Sequence, residues 1–181
     1  MSNNLIWGID PGTTKSALCI FDVDQNKAVF SETFLNEELA KVLESNYEHV
    51  SHNEIHHFRT DKMSAMVSGP ADLAIEQVVF YGRTVGETTF TTVFWSGRFA
   101  QAWGRPYAYF PFREVGREIC GLASGIKEPE VRQALIDRFG PEKRTAIGLK
   151  TCPGPLYNVK GHEWSALGIA VAHAIREGLM K

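Results

Sequence analysis

Two carboxylates interrupt apolar stretches of this chain, and their positions predict metal chemistry. Asp10 ends the run LIWGID and precedes the turn PGTTK, and Glu76 lies inside ADLAIEQVV. A buried lone carboxylate is costly unless it is paired or bound to a metal ion. Adjacent strands bring side chains within about 5 Å of one another. If the two runs are neighbouring strands, Asp10 and Glu76 can share a divalent cation, and oxygen ligands suit Mg²⁺ or Mn²⁺.

Other roles for these residues stay open. Asp10 alone can cap its Pro-Gly turn, and Glu76 alone can be a salt-bridged strand residue. The turn PGTTK can also cradle a nucleotide phosphate, as in sugar kinases and actin-like ATPases. Those proteins hold ATP between two lobes and need a second phosphate loop, whereas this chain has room for one lobe and lacks a convincing second loop. A single-lobed nucleotide-binding protein is therefore the weaker alternative.

Length and composition limit the kinds of protein in which this chemistry can occur. The 181 residues fit one compact domain, expected to span residues 1–181. The net charge of −2 gives no global signal for nucleic-acid binding, so a surface for DNA requires locally clustered basic residues. Three isolated cysteines predict reduced thiols rather than a disulfide framework. We expect a cytoplasmic protein, because no signal-peptide pattern is present and the longest apolar tract is shorter than the roughly 20 residues of a membrane span.

The elements that must position the two carboxylates follow from short-range patterns. Short apolar or alternating runs bounded by turn residues predict five strands: LIWGID, SALCIFDVD, KAVFSETF, ADLAIEQVV and RPYAYFPF. The first two are joined by PGTTK and predict an antiparallel hairpin. Helical spacing predicts one helix after Asn36, which is expected to cap it, and others in TTVFWSGRFAQAWG, REVGREICG and EPEVRQALIDRFG. The last helix is predicted to begin near His162 and to run to about Gly178.

The order of these elements predicts the fold class. Three strands, a helix, a strand, a helix, a strand and further helices give an α/β domain with a mixed five-stranded sheet and helices on both faces. That is the pattern of a ribonuclease H-like domain. The fourth strand is expected to be central, and Gly97 and Ala100 are expected where the second helix approaches the sheet. Residues 50–70 show no clear period and are predicted to be mostly loop.

Five segments of the chain, in order, resemble the RuvC family of Holliday-junction resolvases, especially its smaller bacteriophage members. They cover most of the chain and are GIDPGTTKSALCIFD, LAIEQVVFYG, WSGRFAQAWG, PFREVGREICGLASGIKEPEVRQAL and GHEWSALGIAVAH. The resemblance implies that Asp10 and Glu76 are the first and second ligands of Mg²⁺ or Mn²⁺. It also implies a homodimeric endonuclease that cleaves four-way junctions or other branched DNA, since two symmetric nicks need two sites.

The chain departs from the family pattern at the last helix. Cellular members have two acidic residues three apart there, and some RuvC-like nucleases have His followed by Asp. The corresponding positions here are His162 and Ser165, so the final carboxylate is missing. His162 can bind a metal or act as a general base, or it is a polar residue at a helix start that faces solvent. The long side chain of Glu163 is the other candidate. If neither contributes, the protein is a weak nuclease or a DNA-binding recombination accessory protein.

Candidates for DNA contact lie in the matched segments. Arg113 and Arg117 are four residues apart and hence on one helix face, and Lys127 precedes a predicted helix. Together with Lys15, in the turn after the first strand, they are predicted to contact phosphates. Glutamates are interleaved with these residues, so an ordinary charged surface is an equally good explanation.

An aromatic residue commonly follows IEQV in the family and is used near the junction centre. That position is Val79 here, and Phe80 and Tyr81 follow it. One of the two rings can stack on a base if the register is shifted. A position in the core is the stronger expectation for Phe80.

A group of histidines suggests a zinc site at first sight. Its spacing matches no strong zinc motif and no cysteine is nearby, so an exposed loop is the expected role. The group consists of His49, His52, His56 and His57.

Overall fold

The structure is a computed structural model that describes residues 4–47, 71–80, 82, 85–122 and 125–180. Its main sheet has five strands in the order β3-β2-β1-β4-β5, with β1 antiparallel to β2 and parallel to β4. This confirms the predicted mixed five-stranded sheet and the predicted hairpin. The strands are β1 (Leu5–Asp10), β2 (Lys15–Asp22), β3 (Lys27–Leu35), β4 (Ala71–Gln77) and β5 (Tyr107–Pro111).

The helices also follow the prediction, except that the second begins at Glu87, four residues before the predicted start at Thr91, and that one short helix is added. The last helix ends at Arg176, two residues before the predicted end. A single helical turn and a two-stranded ribbon, β6 (Gly148–Leu149) with β7 (Cys152–Pro153), were not predicted. The six described helices are α1 (Asn36–Tyr47), α2 (Glu87–Trp103), α3 (Phe112–Cys120), α4 (Glu128–Phe139), α5 (Lys143–Ala146) and α6 (Glu163–Arg176).

Side chains of the central strands alternate between two cores, one on each face of the sheet. On one face, Trp7 and Leu73 pack with residues of α1 and α2. On the other face, Ile6 and Ala74 pack with residues of α3, α4 and α6. The predicted helices on both faces are therefore confirmed. The same alternation directs the carboxylates at the ends of β1 and β4 to the face that α6 covers.

Helix α6 lies against β1 because Gly8 has no side chain. A Cβ atom at Gly8 would collide with the backbone carbonyl of Ala166 and would press on Ala170. The helix is buried along nearly all of its length, as its continuous apolar sequence predicted. This close contact sets the first turn of α6 beside the end of β1.

Two predictions about single residues are wrong. Gly97 faces open space, because the buried side of α2 is formed by Ser96, Phe99, Ala100 and Trp103; only Ala100 approaches the sheet as expected. Phe80 is 65% exposed rather than in the core, because β4 ends at Gln77 and the chain leaves the sheet before it.

Some predictions fall outside the described residues. The loop predicted for residues 50–70, the histidine group within and beside it, and Tyr81 all belong to this part of the chain. Among the described helices, none has the length and apolar character required to cross a membrane.

Candidate active site

The candidate site lies where β1 and β4 end side by side. These two strands are parallel neighbours, and their register pairs Ile9 with Ile75. One step further along each strand, Asp10 and Glu76 meet, and a side-chain hydrogen bond joins their carboxyl groups. β1 and β4 are therefore adjacent, as a cation site shared by Asp10 and Glu76 requires.

A buried polar network holds the turn after Asp10. The Ser16 hydroxyl accepts a hydrogen bond from the Gly12 N–H at 3.1 Å and donates one to Asn36 Oδ1 at 2.7 Å. The Asn36 side-chain amide donates to the Gly12 carbonyl at 3.0 Å. Asn36 begins α1, and its side chain ties the start of this helix to the turn. In the sequence, this network is indicated only by Ser16, a polar residue directly before the apolar residues of β2.

His162 approaches Asp10 from the start of α6. Its Nδ1 atom lies 3.2 Å from Oδ2 of Asp10. The His162 side chain is 79% exposed and that of Asp10 is 15% exposed. The imidazole therefore connects a nearly buried carboxylate with solvent. The structure brings together Asp10, Glu76 and His162, three of the four residues that the sequence nominated.

Burial keeps a proton on the carboxyl pair. Desolvation raises the pKa of both groups, and the charge of Asp10 adds to the rise at Glu76, whose pKa reaches about 8. At Asp10, the hydrogen bond with Glu76 and the neighbouring His162 oppose the rise in pKa. The two carboxyls therefore share one proton at neutral pH in the absence of a cation. Such a pair of carboxyl groups favours the binding of a cation between them.

The fourth nominated residue, Glu163, is engaged elsewhere. Its carboxylate accepts a hydrogen bond from the Lys160 backbone N–H at 3.0 Å, and the residue is nearly buried. Its charge raises the pKa of the buried Cys19 thiol, whereas it is not among the groups that shift the pKa of Asp10 or Glu76. The structure does not bring Glu163 to the carboxyl pair.

A cavity of about 400 Å³ adjoins Glu76. Glu76 and Ser165 line it together with apolar side chains and with residues from the first turns of α4. Ser165 lies on α6, one turn after His162, and carries no charge. The carboxylate that the resemblance leads one to expect at this position is thus replaced by a small hydroxyl beside open space.

The donor atoms at the strand ends fit a hard divalent cation. Asp10 and Glu76 offer carboxylate oxygens, and Mg²⁺ is typically bound by one or two carboxylates with substrate phosphates completing its shell. Within the described ranges, no group of three or more His, Cys, Asp or Glu side chains is placed to hold a metal ion by itself. The two carboxylates therefore supply only part of the ligand shell that such a cation needs.

The four residues predicted to contact phosphates are all exposed. Lys15 is exposed at the start of β2, and Arg113 is exposed in α3. Arg117, one turn further along α3, forms an ion pair with Glu118 at 3.3 Å. Lys127 precedes α4, and its backbone N–H donates to Glu130. Their roles in DNA binding stay predictions.

The architecture and the position of the site define a ribonuclease H-like domain, and the chain has a RuvC-like fold. A solved structure of Thermus thermophilus RuvC in complex with a Holliday junction substrate is 21% identical, with a TM-score of 0.59 over 98% of each chain. Another Thermus thermophilus RuvC structure is 22% identical, with a TM-score of 0.57 and the same coverage. No protein-family model and no curated protein sequence matches this chain. A bacteriophage origin stays a prediction.

Proposed function

We propose that this protein is a metal-dependent, structure-selective DNA endonuclease that resolves four-way junctions or other branched DNA. One observation carries the proposal: the parallel pairing of β1 with β4 places two nearly buried carboxyl groups, Asp10 and Glu76, in contact at the ends of adjacent strands. A fold similar to that of RuvC supports the choice of DNA junctions as substrate. A nucleotide-binding role would not require an acidic pair at this position.

The two carboxylates hold the cation in this proposal. Mg²⁺ or Mn²⁺, when bound, activates a water and stabilises the leaving oxygen of the phosphodiester. Asp10 and Glu76 must lose their shared proton first, so cation affinity rises with pH toward the pKa of about 8 at Glu76.

His162 is the proposed general base. With Nδ1 directed at Asp10, the imidazole donates its Nδ1–H to the carboxylate and leaves Nε2 as the acceptor. Nε2 then takes a proton from the attacking water as it approaches the phosphorus in line, and cleavage leaves a 5′-phosphate. The solvent exposure of His162 lets it pass the proton on.

We propose that one aromatic ring and four basic side chains contact the junction. Phe80 is exposed four residues after Glu76, and we propose that its ring stacks on an unpaired base of the junction. The phosphate backbone is proposed to run past the four basic residues nominated above, Lys15, Arg113, Arg117 and Lys127.

We also propose that two copies act together. Paired symmetric nicks need two sites, and a homodimer supplies them. Helix α2 exposes a run of apolar side chains that has no covering element within the described part of the chain: Phe90, Val93 and Phe94. Such a patch is suited to contact between copies. The molar mass in solution, measured by light scattering, tests this point.

Cleavage of a labelled four-way junction in Mg²⁺ and in Mn²⁺ tests the main proposal. A linear duplex and a flap serve as alternative substrates, and Asp10→Asn serves as the inactive control. We expect paired nicks in the junction that disappear in the variant. Junction binding without cleavage in either metal would instead identify a DNA-binding accessory protein, as the uncharged Ser165 suggests.

A further inference from the structure

A carboxylate with no role assigned so far lines the same cavity as Ser165. Glu128 is the first residue of α4, and it lines the same 400 Å³ cavity as Glu76 and Ser165. It is neither on the helix that carries His162 nor on the strands that carry the acidic pair. Sequence comparison with the resolvase pattern gives it no role, because the family's acidic residues come from other elements.

We propose that Glu128 supplies the third negative charge of the cation site, from α4, in place of the carboxylate that is absent at Ser165. This inference rests on the proposed function, since it concerns the cation held by Asp10 and Glu76. It assigns Glu128 as a positioning residue for the cation.

The side chain of Glu128 is available for this role. It is exposed, and none of the ion pairs formed among the described residues includes it. Its neighbour Glu130, in the same helical turn, is committed to the backbone, because its Oε2 accepts a hydrogen bond from the Lys127 N–H at 2.6 Å. The first turn of α4 therefore has one carboxylate that caps the helix and one that faces the cavity.

Electrostatics link Glu128 with the acidic pair. Its charge contributes to the raised pKa of Asp10 and also to that of Glu76. A charge that opposes ionisation of both carboxyls favours a cation between them by the same Coulombic interaction. Two basic residues line the same cavity, Arg132 and Lys143. The Arg132 guanidinium stacks over the Trp164 ring at 4.8 Å.

Direct ligation is not required for this effect. Mg²⁺ retains several water molecules in protein sites, and a carboxylate on the far side of such a hydrated ion acts through its charge and through water. Groups outside the immediate ligands typically change metal affinity by about 10- to 100-fold when they are replaced. Ser165, with a hydroxyl only, leaves room for water in the intervening cavity.

Titration of the full-length protein with Mn²⁺ by calorimetry tests the inference without reliance on cleavage. Glu128→Gln is expected to weaken Mn²⁺ binding about 10-fold or more. Glu130→Gln is the matched control: it removes the same charge from the same turn, while glutamine retains the capping interaction. The control is expected to bind Mn²⁺ like the unmodified protein.

Relocation of the charge provides a second test. Ser165→Asp is expected to restore Mn²⁺ affinity and junction cleavage in the Glu128→Gln background. Unchanged affinity in Glu128→Gln, or an equal loss in Glu130→Gln, would overturn the inference. The Asp10→Asn variant separates this outcome from failure of the proposed function. If Asp10→Asn abolishes Mn²⁺ binding while Glu128→Gln leaves it unchanged, the cation site exists and does not depend on Glu128. If the unmodified protein does not bind Mn²⁺, both proposals fail.

Discussion

Helix α6 faces the sheet with a histidine at each end, and each histidine meets an aspartate. At the start of the helix, His162 Nδ1 lies 3.2 Å from Asp10; near its end, His173 Nε2 lies 3.6 Å from Asp72. The burial of the partners is reversed. Asp10 is nearly buried beside an exposed histidine, whereas His173 is 8% exposed beside an aspartate that is 63% exposed.

The reversal gives the two pairs opposite electrostatic properties. At the first end, burial raises the pKa of the acidic groups Asp10 and Glu76 and so disfavours their charged forms. At the second end, burial lowers the pKa of His173 and the ring packs edge-on against Phe110. Its Nδ1 has no hydrogen-bond partner among the residues that the structure describes. Burial of the carboxylate thus creates a place for a cation, while burial of the imidazole creates a neutral element of the core.

The position in the sheet strengthens this difference. Asp10 and Glu76 lie at the carboxyl ends of parallel strands, where open α/β sheets bind their ligands. Asp72 lies near the opposite end of β4, paired with Ile6. Identical residue types at the two ends therefore allow matched substitutions, in which one end is altered and the other is its control.

The largest difference is expected for aspartate-to-asparagine changes. Asp10→Asn should reduce junction cleavage in Mg²⁺ by at least about 1,000-fold, because it removes a charged ligand from the cation site. Asp72→Asn, the same change on an exposed side chain, should leave the cleavage rate within about two-fold. Single-turnover cleavage of a labelled junction measures both. Equal losses in the two variants would contradict the assignment of the site.

Replacement of the two histidines should separate chemistry from stability. His162→Ala is expected to reduce cleavage about 100-fold and to change the free energy of unfolding by less than about 0.5 kcal/mol, because the side chain is exposed. His173→Ala should cost about 2 kcal/mol of stability through loss of buried contacts. Urea denaturation and cleavage assays on both variants give the comparison. A stability loss in His162→Ala would show that this residue has a structural role.

The pH dependence of stability should also differ between the ends. A group whose pKa is raised on folding stabilises the fold below its unfolded pKa, and that contribution is lost as the pH rises through the folded pKa. For Glu76 the window is 4.5 to about 8. In EDTA, Glu76→Gln should therefore be more stable than the unmodified protein by on the order of 2 kcal/mol above this window, with no such gain below it.

The pKa of His173 is lowered, so the sign is opposite at that end. Its contribution to stability is present above its unfolded pKa and is lost as the pH falls through the folded value. Urea denaturation, measured over both pH ranges, tests the contributions of Glu76 and His173 to stability. A gain for Glu76→Gln that does not depend on pH would argue against a shared proton.

The smallest effect is expected for the exposed ring of Phe80, four residues after Glu76 in the chain. Phe80→Ala should weaken junction binding by about 1–2 kcal/mol, the usual contribution of one stacked base, with little change in stability. Leu149→Ala, an exposed apolar residue on the ribbon far along the chain, is the control. Binding titrations with a fluorescent junction in Ca²⁺ measure the difference. Equal affinity of Phe80→Ala and the unmodified protein would remove the ring from the contact surface.

The sequence predicted the strands and helices well because each has a local signal. Period-two runs with turn residues at their ends identify β1 to β5, and glycines mark the ends of α2, α3 and α4. The ribbon of two-residue strands has no period to detect. Gly97 and Phe80 were misplaced because local pattern does not say which side of a helix, or which residue after a strand, meets solvent.

The sequence by itself determined that two carboxylates interrupt apolar strands and that a histidine stands at the start of the last helix. Which of them meet was decided by the tertiary structure. Parallel pairing of β1 with β4 joins Asp10 to Glu76, and the missing side chain at Gly8 lets α6 bring His162 to them. The Glu163 carboxylate instead accepts a backbone hydrogen bond, and Glu128 lines the cavity that Glu76 also lines. Charge and burial act across space, so residues distant in the chain acquire their chemistry only when the fold sets them side by side.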